Sequence, residues 1–336
     1  MRYVKNPPNP FDKYSAEFIG EPPPTKLEVF EETATKKMIT KAFASDWEGG
    51  WRYTVNCYRG CVHGCTYCFA RRYHEFLGYG AGTDFETKIV VKPNAPQVLR
   101  EELKKTRQKM PHVDFSFATD PYLPLEASYE LTRKCLQVCA EFGVPVGVIT
   151  KSPLVTRDID VLQKLNAWVC FSLPFLTKEK SNPFEPFTPV PEARFRAMEA
   201  IANAGISVGI GIAPVIPGLS TDIPVLLKRA KEAGAEYAFI NMLRLPGNVA
   251  PYFEERLREK LPAKADRVMN RIREARGGKL NSSVFGERMR GKGQYWEATE
   301  RLFKIHCQRL GFNKKRTHQT PSNSTFRRPS AQPTLF

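Results

Sequence analysis

Short apolar runs alternate with glycine-terminated helical patterns through the middle of this chain, and this alternation constrains the fold more than any other feature. Patterns typical of strands stand near residues 52–56, 87–92, 113–118, 144–149, 167–173, 206–212 and 235–241. The amphipathic patterns between them end in glycine just before the next strand, as at Gly143, Gly205 and Gly234. Such units build a parallel sheet. Six or seven of them without a nucleotide-binding glycine turn favour a barrel over an open sheet.

The chain around this α/β core divides into further regions. Residues 1–50 are Pro-rich and lack sustained periodicity, so we predict an irregular N-terminal arm before the core at 51–245. Residues 246–311 have helical patterns and form a predicted small helical C-terminal region. Residues 312–336 are basic, and no acidic residue follows position 312, so we predict a disordered basic tail.

The charge of the chain is strongly positive. It has 51 Lys and Arg against 35 Asp and Glu, a formal net charge of +16. This balance favours polyanions as partners, and nucleic acid is the first interpretation, although many basic proteins bind none. No signal-peptide apolar segment follows Met1 and no apolar run is long enough to span a membrane. We therefore expect a cytoplasmic protein with reduced thiols and no membrane association.

Three of the eight cysteines lie close together in the loop that follows the first core strand. Cys61, Cys65 and Cys68 form a C-x3-C-x2-C pattern, and their position after a strand places them at the mouth of the predicted barrel. Three thiolates can bind three irons of a [4Fe–4S] cluster and leave the fourth iron open, as radical S-adenosylmethionine (SAM) chemistry requires. A zinc site lacking its fourth ligand and chance clustering are the alternatives. No downstream Cys/His pair at suitable spacing supports zinc.

Several segments resemble one family. They are Asn56–Arg71, Asp84–Ile89, Thr119–Tyr122, Thr150–Ser152 followed by Arg157–Asp158, and Ala213–Gly218. Together they resemble the radical SAM proteins related to spore photoproduct lyase, the DNA-repair-photolyase-like family. The resemblance implies a partial (β/α)6 radical SAM barrel. It also implies an enzyme that cleaves SAM to a 5′-deoxyadenosyl radical, takes its electron from a donor such as flavodoxin or ferredoxin, and acts on nucleic acid, above all on a damaged base in DNA.

The same resemblance implies roles for five residues around SAM. Tyr67 contacts the adenine, Thr119 and Lys151 the methionine end, Ser172 the ribose or carboxylate region, and Ala213 the adenine edge. Thr119, Lys151, Ser172 and Ala213 stand at or just past the ends of predicted strands, where barrel enzymes place their polar groups. A solvated surface charge is the alternative for Lys151.

The substrate is the least defined part of this interpretation. A radical SAM modifier of RNA or protein, or a DNA-associated Fe–S protein without turnover, fits the same residues. Spore photoproduct lyase carries a hydrogen-donating cysteine on the strand that here reads Phe115–Asp120, and this chain has none there. Cys170 is a candidate replacement because it shares a strand face with Ser172; a packed core thiol is its alternative.

Other residues have two interpretations each. Cys57 either lies near the cluster or is a small buried residue, Cys135 and Cys139 share an apolar helix face and are predicted in the core, and Cys307 is predicted to be structural. His63 either tunes the cluster or is an ordinary loop residue. Four charged residues either bind substrate or pair with one another at the barrel rim: Asp120, Glu126, Arg157 and Asp158.

The C-terminal region has two candidate interaction segments. In the loop Gly286–Gly293, Arg288, Arg290 and Lys292 are candidates for phosphate contacts, with Tyr295 and Trp296 close enough to stack a base, against a plain solvated loop. The chain ends in Gln332-Pro333-Thr334-Leu335-Phe336, which resembles the peptide by which bacterial repair and replication proteins dock on the β sliding clamp. Gln332, Leu335 and Phe336 are then the clamp-binding residues, and the alternative is a chance match.

Overall fold

The computed structural model describes residues 26–43, 51–107, 110–284, 286–314 and 325–327. The strands are β1 (Glu28–Glu31), β2 (Thr40–Phe43), β3 (Trp51–Val55), β4 (Tyr58–Arg59), β5 (Lys88–Val91), β6 (Val113–Phe115), β7 (Val146–Thr150), β8 (Ala167–Ser172), β9 (Ser207–Val215) and β10 (Tyr237–Met242). The helices before β8 are α1 (Arg71–Glu75), α2 (Asp84–Thr87), α3 (Ala95–Lys105), α4 (Glu126–Tyr129), α5 (Leu131–Glu141), a 3₁₀ turn at Pro153–Asp158 and α6 (Ile159–Leu162). The later helices are α7 (Lys178–Ser181), α8 (Pro191–Asn203), α9 (Ile223–Glu232), α10 (Val249–Lys260), α11 (Pro262–Ala275) and α12 (Gly293–Leu310).

The larger sheet has seven strands in the order β10-β9-β8-β7-β6-β3-β2. Its strands β3, β6, β7, β8, β9 and β10 pair in parallel, and β2 adds antiparallel to β3. Within the described chain, β2 and β10 are not hydrogen-bonded to each other, so the barrel is open on one side. Six parallel strands in an open barrel confirm the predicted partial (β/α)6 fold. Helix α5 is followed as expected by Gly143, whose φ of +61° favours glycine.

A second, three-stranded sheet has the order β1-β5-β4. The strand predicted near 87–92 is therefore present as β5, but it lies outside the barrel, where β1 pairs parallel and β4 antiparallel to it. The strands β1 and β2 fall within residues 1–50, which were predicted as an irregular arm. All four residues of β1 are exposed, so this strand depends on backbone pairing with β5 and leaves no apolar pattern in the sequence.

Alternate residues of β8 face opposite sides of the sheet. Val169 and Phe171 are buried in the main core between sheet and helices, whereas Trp168, Cys170 and Ser172 lie on the other face by the two-residue period of a strand. On that inner face Trp168 packs edge-on against Tyr237, with ring centroids 5.7 Å apart. Gly209 makes room for Tyr237, because a Cβ there would stand 2.2 Å from its ring. This aromatic pair fills the lumen near the beginnings of β8 and β10.

The remaining cysteines lie in packed surroundings. Cys135 and Cys139 are fully buried in the main core, and the Sγ of Cys57 lies 3.6 Å from that of Cys135. Cys307 is buried on α12. These positions match the packing interpretation of each thiol.

Two pieces of the predicted tail lie against the domain. Phe312 is buried, and Phe326 stacks on Phe142 at the end of α5, with ring centroids 6.5 Å apart. The backbone N–H of Arg327 donates to the carbonyl of Phe142 at 2.9 Å. The proposed clamp residues Gln332, Leu335 and Phe336 lie outside the described residues.

Candidate functional site

The three clustered cysteines line one cavity of about 230 Å³. The cavity lies at the carboxyl ends of the barrel strands, with the loop between β4 and α1 forming one wall. Cys61 and Cys65 are buried and Cys68 is half-buried. The loop is anchored to α2, because the backbone N–H of Cys61 donates to the carbonyl of Phe85 at 2.8 Å. All three thiols are thus presented to the same space.

The donor set fits a cubane cluster better than a single metal ion. Within the described residues, no group of three or more Cys, His, Asp or Glu side chains is placed to hold one metal ion. A single zinc ion needs its ligands to converge on one point. In a cubane each thiolate binds a different iron, so ligands that share a cavity without converging suit it. The zinc alternative loses its support here.

Burial controls the protonation of these thiols. It raises the pKa of Cys65 to about 12, opposed by the nearby ammonium of Lys151, and it raises the pKa of Cys61 as well. The metal-free protein therefore keeps both thiols protonated near neutral pH. Binding of iron must release these protons, as thiolate ligation of metals generally does.

A fully buried arginine holds the cysteine loop in place. The Nε of Arg71 donates to the carbonyl of Cys65 at 2.9 Å, and Nη2 donates to the carbonyl of Gly64 at 3.0 Å. The same guanidinium reaches the carbonyl of Gly82 at 2.7 Å and pairs with Glu86 at 2.5 Å. Arg71 thus ties two loops to one carboxylate, and the ring of Tyr252 lies 4.2 Å from its Cζ. Arg71 stood inside the resembling segment, but nothing in the sequence singled it out.

Four of the five residues predicted to bind SAM lie close together in the cavity. The Nζ of Lys151 lies 3.0 Å from the Oγ of Ser172, which in turn donates to the carbonyl of Ala213 at 3.2 Å. The ring of Tyr67 lies below the same ammonium, 5.8 Å from Nζ to centroid. All four residues line the cavity. They present one cation, one hydroxyl and one aromatic face, which suits an amino acid joined to a nucleoside.

Thr119 lines the cavity but its hydroxyl is directed elsewhere. The Oγ1 of Thr119 donates to the carbonyl of Gly60 at 2.5 Å, so it braces the start of the cysteine loop. Its neighbour Asp120 accepts from Thr150 Oγ1 at 2.6 Å and from the N–H of Lys151 at 2.8 Å. Asp120 therefore fixes the backbone that carries Lys151. His63 Nδ1 lies 3.5 Å from the same carboxylate, and burial lowers the pKa of His63.

Glu185 is a buried carboxylate next to Lys151. It was not identified from the sequence. Glu185 accepts a hydrogen bond from the hydroxyl of Tyr67 and pairs with Arg194 Nη2 at 2.6 Å. Its Oε1 lies 3.8 Å from Lys151 Nζ. Although burial opposes it, the charges of Arg194 and Lys151 lower the pKa of Glu185. An ionised Glu185 therefore orients Tyr67 and Lys151. It follows no strand and belongs to no motif, so the sequence gives no signal for it.

The other charged rim residues pair with one another. Arg157 reaches Glu126 at 2.8 Å and Asp158 at 2.7 Å, and both carboxylates are fully buried. The hydroxyl of Tyr122 donates to Asp158 at 3.1 Å. None of these four side chains lines the cavity. The structure thus favours the rim-pairing interpretation for Glu126, Arg157 and Asp158.

Cys170 does not have the access that a hydrogen donor needs. Its side chain shares the inner face of β8 with Ser172, as expected, but Cys170 is fully buried and is not among the residues that line the cavity. The aromatic pair of Trp168 and Tyr237 packs in the lumen beside it. A radical formed in the cavity has no direct path to this thiol. The packed-thiol interpretation fits the structure.

The C-terminal loop reaches the cavity through a residue that was not predicted. Met289 lines the cavity, and its carbonyl accepts from the N–H of Met242 at 2.9 Å. Of the predicted phosphate-binding residues, Arg290 pairs with Glu300 at 3.0 Å and Lys292 with Glu287 at 2.9 Å. Arg288 lies on the same loop, half-buried. The loop does lie at the cavity, but the charges of Arg290 and Lys292 are already paired.

The predicted stacking residues are turned inward. Trp296 is 2% exposed and packs in the main core, so it cannot stack a base. The hydroxyl of Tyr295 accepts from the N–H of Gly218 at 3.1 Å, and Arg271 lies over its ring. The prediction that these rings bind bases is wrong for Trp296, because α12 needs that ring to pack against the barrel.

Comparison with known proteins assigns the site to a family. The profile of the radical SAM superfamily matches residues 55–230, more than half of the 336-residue chain. The chain belongs to the radical SAM superfamily. Radical SAM proteins carry a [4Fe–4S] cluster and bind SAM. In the part of the chain that the structure describes, Cys61, Cys65 and Cys68 line one cavity.

Relatives by sequence come from bacteria, archaea and viruses. An uncharacterized protein of Mycobacterium tuberculosis is 37% identical over 209 residues, which cover 60% of this chain and 62% of that protein. An uncharacterized protein of Methanocaldococcus jannaschii is 30% identical over 191 residues, covering 56% of this chain and 70% of the relative. The radical SAM Nalpha-GlyT isomerase of Pseudomonas phage M6 is 27% identical over 205 residues, covering 60% of this chain and 41% of the isomerase. The match thus spans less than two thirds of the mycobacterial relative.

Solved structures of spore photoproduct lyase share the fold. The lyase complexed with dinucleoside spore photoproduct superposes with a TM-score of 0.57 at 16% identity, covering 84% of this chain and 80% of that chain. A lyase variant with bound AdoMet and the dinucleoside photoproduct also has a TM-score of 0.57, covering 88% and 86%. The predicted resemblance is confirmed at the level of fold.

No helix in the described part of the chain has both the length and the apolar character of a membrane-spanning segment.

Proposed function

We propose that this protein reductively cleaves SAM at a [4Fe–4S] cluster on Cys61, Cys65 and Cys68 and uses the resulting 5′-deoxyadenosyl radical on nucleic acid. The substrate we propose is a damaged base in DNA. The observation that carries the proposal is one cavity that joins the three thiols to the Lys151 and Ser172 pair. A cluster and a SAM-binding cation in one cavity is the arrangement that radical SAM chemistry needs.

When bound, the cluster supplies the electron that breaks the S–C5′ bond of SAM. The side chains of this chain hold and orient the reactants. Lys151 provides the positive charge for the SAM carboxylate, and Ser172 and the ring of Tyr67 line the space beside it. Glu185 holds Tyr67 and Lys151 in place from behind. The apolar lining from Phe117, Ile149 and Phe239 keeps water away from a reactive radical.

Two observations support nucleic acid as the substrate class. The chain carries a net charge of +16, which favours a polyanion. A structure that shares the fold holds a dinucleoside spore photoproduct. The missing cysteine in Phe115–Asp120 and the burial of Cys170 argue against the spore photoproduct itself. We propose a different lesion, whose repair needs no hydrogen-donating thiol besides the three cluster ligands.

The test is anaerobic reconstitution of the full chain with iron and sulfide, followed by dithionite and SAM. Formation of 5′-deoxyadenosine supports turnover, whereas an intact cluster without it identifies an Fe–S binding protein. Damaged DNA, RNA and a protein extract, each labelled with deuterium, are then added in separate reactions. The true substrate is the one whose deuterium appears in 5′-deoxyadenosine, because hydrogen abstraction transfers it there. The Cys65→Ala variant is the matched control. Deuterium transfer from RNA or protein alone would overturn the DNA proposal.

We propose two protein partners and a location. A reducing cytoplasm suits the cluster, with a donor such as flavodoxin or ferredoxin as electron source. Gln332, Leu335 and Phe336 are proposed to dock on a β sliding clamp, since an extended peptide can place the two apolar side chains in a groove. Deleting residues 332–336 should abolish clamp binding and leave SAM cleavage unchanged. A full chain that never binds the clamp of its host ends this part of the proposal.

A further inference from the structure

A second cavity, of about 530 Å³, lies beside β10. Its lining comes from that strand, from the C-terminal loop and from α12, which contributes Phe303 and Lys304. Within the described chain β10 is the last strand of the larger sheet, so this cavity lies at an open edge of the barrel. A substrate can approach the lumen from this edge without crossing the sheet.

The two cavities adjoin at three residues. Phe239, Asn241 and Met289 line both the cavity of the cluster cysteines and the second cavity. The first cavity, of about 230 Å³, has to hold SAM beside the cluster, whereas sites for small molecules commonly occupy about 300–1,000 Å³. A substrate nucleotide therefore needs space beyond the first cavity, and the second cavity supplies it.

A register shift in the sheet occurs at Asn241. Ile240 pairs with Ile212 on β9. Met242 then pairs with Val215, so two residues of β9 stand against Asn241 alone. In a regular strand neighbouring side chains alternate between the two faces, yet Asn241 and Met242 both line the first cavity. Irregular pairing of this kind re-aims side chains beside binding sites, and here it presents Asn241 at the junction of the cavities.

The carboxamide of Asn241 is available to a ligand. Asn241 is half-buried, and its side chain forms no hydrogen bond with any other described residue. Ser116 also lines the first cavity, is 5% exposed, and has an Oγ without a partner among the same residues. A buried polar group without a partner costs free energy that a polar ligand recovers. Since a carboxamide offers a donor beside an acceptor, the ligand that suits Asn241 carries the complementary pair.

The lining of the second cavity suits the remainder of a nucleic-acid strand. Phe239 and Phe303 provide aromatic rings, and Lys304 provides an exposed cation. Arg290 and Glu300 also line this cavity and pair with each other at 3.0 Å. Sites for single-stranded nucleic acid combine rings that stack on bases with cations that contact phosphates. The second cavity has both.

We propose that Asn241 binds the edge of a substrate nucleobase at the junction, with the second cavity holding the adjoining part of the nucleic-acid strand. This inference rests on the proposed function and names the residue that recognises the base. Asparagine can pair with a base edge through two hydrogen bonds, one donated and one accepted. SAM also carries a base, its adenine, for which the family resemblance implies contacts with Tyr67 and Ala213. Binding of SAM and binding of nucleic acid must therefore be measured separately.

The experiment measures binding of two short, labelled strands to the reconstituted protein with SAM by fluorescence anisotropy. One strand is single-stranded DNA, and in the other tetrahydrofuran residues replace the bases and leave the phosphates in place. Asn241→Leu should weaken binding of the DNA strand about tenfold, the value of one or two hydrogen bonds, and leave binding of the abasic strand unchanged. Asn203→Leu, at an exposed position of α8 outside both cavities, is the matched control and should change neither affinity.

A variant of the second cavity tests where the strand lies. Lys304→Gln should lower the affinity for both strands and reduce the slope of log affinity against log salt by about 0.7, as expected for one phosphate contact on a single strand. Arg309→Gln removes a charge from the same helix outside the cavity and should keep the wild-type slope. An unaltered slope in Lys304→Gln overturns the placement of the strand in this cavity.

The variants of Asn241 decide whether this residue recognises the base. Asn241→Ser serves as the test if Asn241→Leu does not fold, and the same selective loss is expected. SAM affinity must stay unchanged in both variants, because weaker SAM binding assigns Asn241 to the adenine and overturns the inference. An equal loss on both strands, or no loss, also overturns it, with the proposed function intact. A wild-type chain that forms 5′-deoxyadenosine but binds neither strand overturns both the inference and the nucleic-acid substrate.

Discussion

The ammonium of Lys151 lies 3.0 Å from the hydroxyl oxygen of Ser172, across the ends of the neighbouring strands β7 and β8. The parallel register brings these ends together, because Thr150 stands opposite Phe171. Lys151 follows directly after Thr150, and Ser172 directly after Phe171. Two polar residues from different strands thus meet in the cavity that Cys61, Cys65 and Cys68 also line.

Replacing Lys151 with Ala should weaken SAM binding while the cluster stays in place. The loss of one charge-assisted hydrogen bond costs about 1.5–3 kcal/mol, or about ten- to hundredfold in affinity. Equilibrium dialysis with labelled SAM measures the affinity, and iron analysis measures the cluster. Lys180→Ala, which removes an exposed partner of Asp222, is the control. Equal SAM affinity in wild type and Lys151→Ala would remove this residue from the site.

Replacing Cys61, Cys65 or Cys68 with Ala should abolish both the cluster and SAM cleavage. The purified wild type should be brown without oxygen and hold about four irons per chain. Cys170→Ala is the informative control, because this thiol is buried below the cavity and should leave iron content and product formation unchanged. A full cubane in any of the three loop variants contradicts the ligand assignment. Loss of product with an intact cluster in Cys170→Ala would restore that thiol as a hydrogen donor.

His74 should make stability depend on pH between about 6.5 and 4. Burial lowers the pKa of His74 to about 4, below its ordinary value near 6.5. Between these values the unfolded chain binds the proton that the native imidazole refuses, so stability is full above pH 6.5 and falls as the pH decreases. The loss from this group amounts to about 3 kcal/mol at 1.36 kcal/mol per pKa unit.

Urea unfolding of the metal-free protein at several pH values measures this slope. His74→Leu should flatten it, because the apolar side chain has no proton to bind. Gln308→Leu, at an exposed and non-titratable position of α12, provides the comparison and should keep the wild-type slope. A slope that is the same in His74→Leu and wild type assigns the pH dependence to other groups.

The sequence predicted the barrel strands and the cluster loop because both leave local signals. Apolar runs separated by glycine-terminated helices mark the strands, and three cysteines within eight residues mark the loop. Lys151 and Ser172 were found because each stands at a strand end in a segment that resembles a family. Residues whose position follows from the chain's own periodicity could therefore be predicted from the sequence.

Other parts of the site depend on tertiary contacts that no local pattern reveals. Glu185 lies in a loop and acquires its role only through contacts with Tyr67 and Arg194. Arg244 and Met289 meet at the cavity because the C-terminal loop folds back onto the end of β10. Trp296 was misplaced for the same reason, since proximity to a basic loop in sequence does not show that a ring packs inward.

Arg71 should be essential for holding the cluster, although it contacts no iron. Its guanidinium donates to the carbonyls of Gly64 and Cys65 and pairs with Glu86, and the whole side chain is 0% exposed. Lysine keeps the positive charge but cannot form this fork of hydrogen bonds, so carbonyls and a carboxylate lose partners in a buried place. Breaking such a buried pair costs about 3–5 kcal/mol.

We therefore expect Arg71→Lys to be less stable in urea and to bind less iron per chain, with a broader cluster spectrum by electron paramagnetic resonance. Arg72→Lys is the matched control, because Arg72 is the exposed neighbour on the same helix and should behave as wild type. A double-mutant cycle of Arg71→Lys and Glu86→Gln measures how much of the free energy of unfolding depends on the Arg71–Glu86 pair. This separates the loss of stability from the effect of Arg71 on the position of the cysteine loop. If Arg71 acts through the loop, iron content should fall in Arg71→Lys even under conditions where both proteins are fully folded, because the misplaced carbonyl of Cys65 shifts the thiol beside it. Full iron content with an unchanged spectrum in a folded Arg71→Lys protein would limit this residue to a structural role.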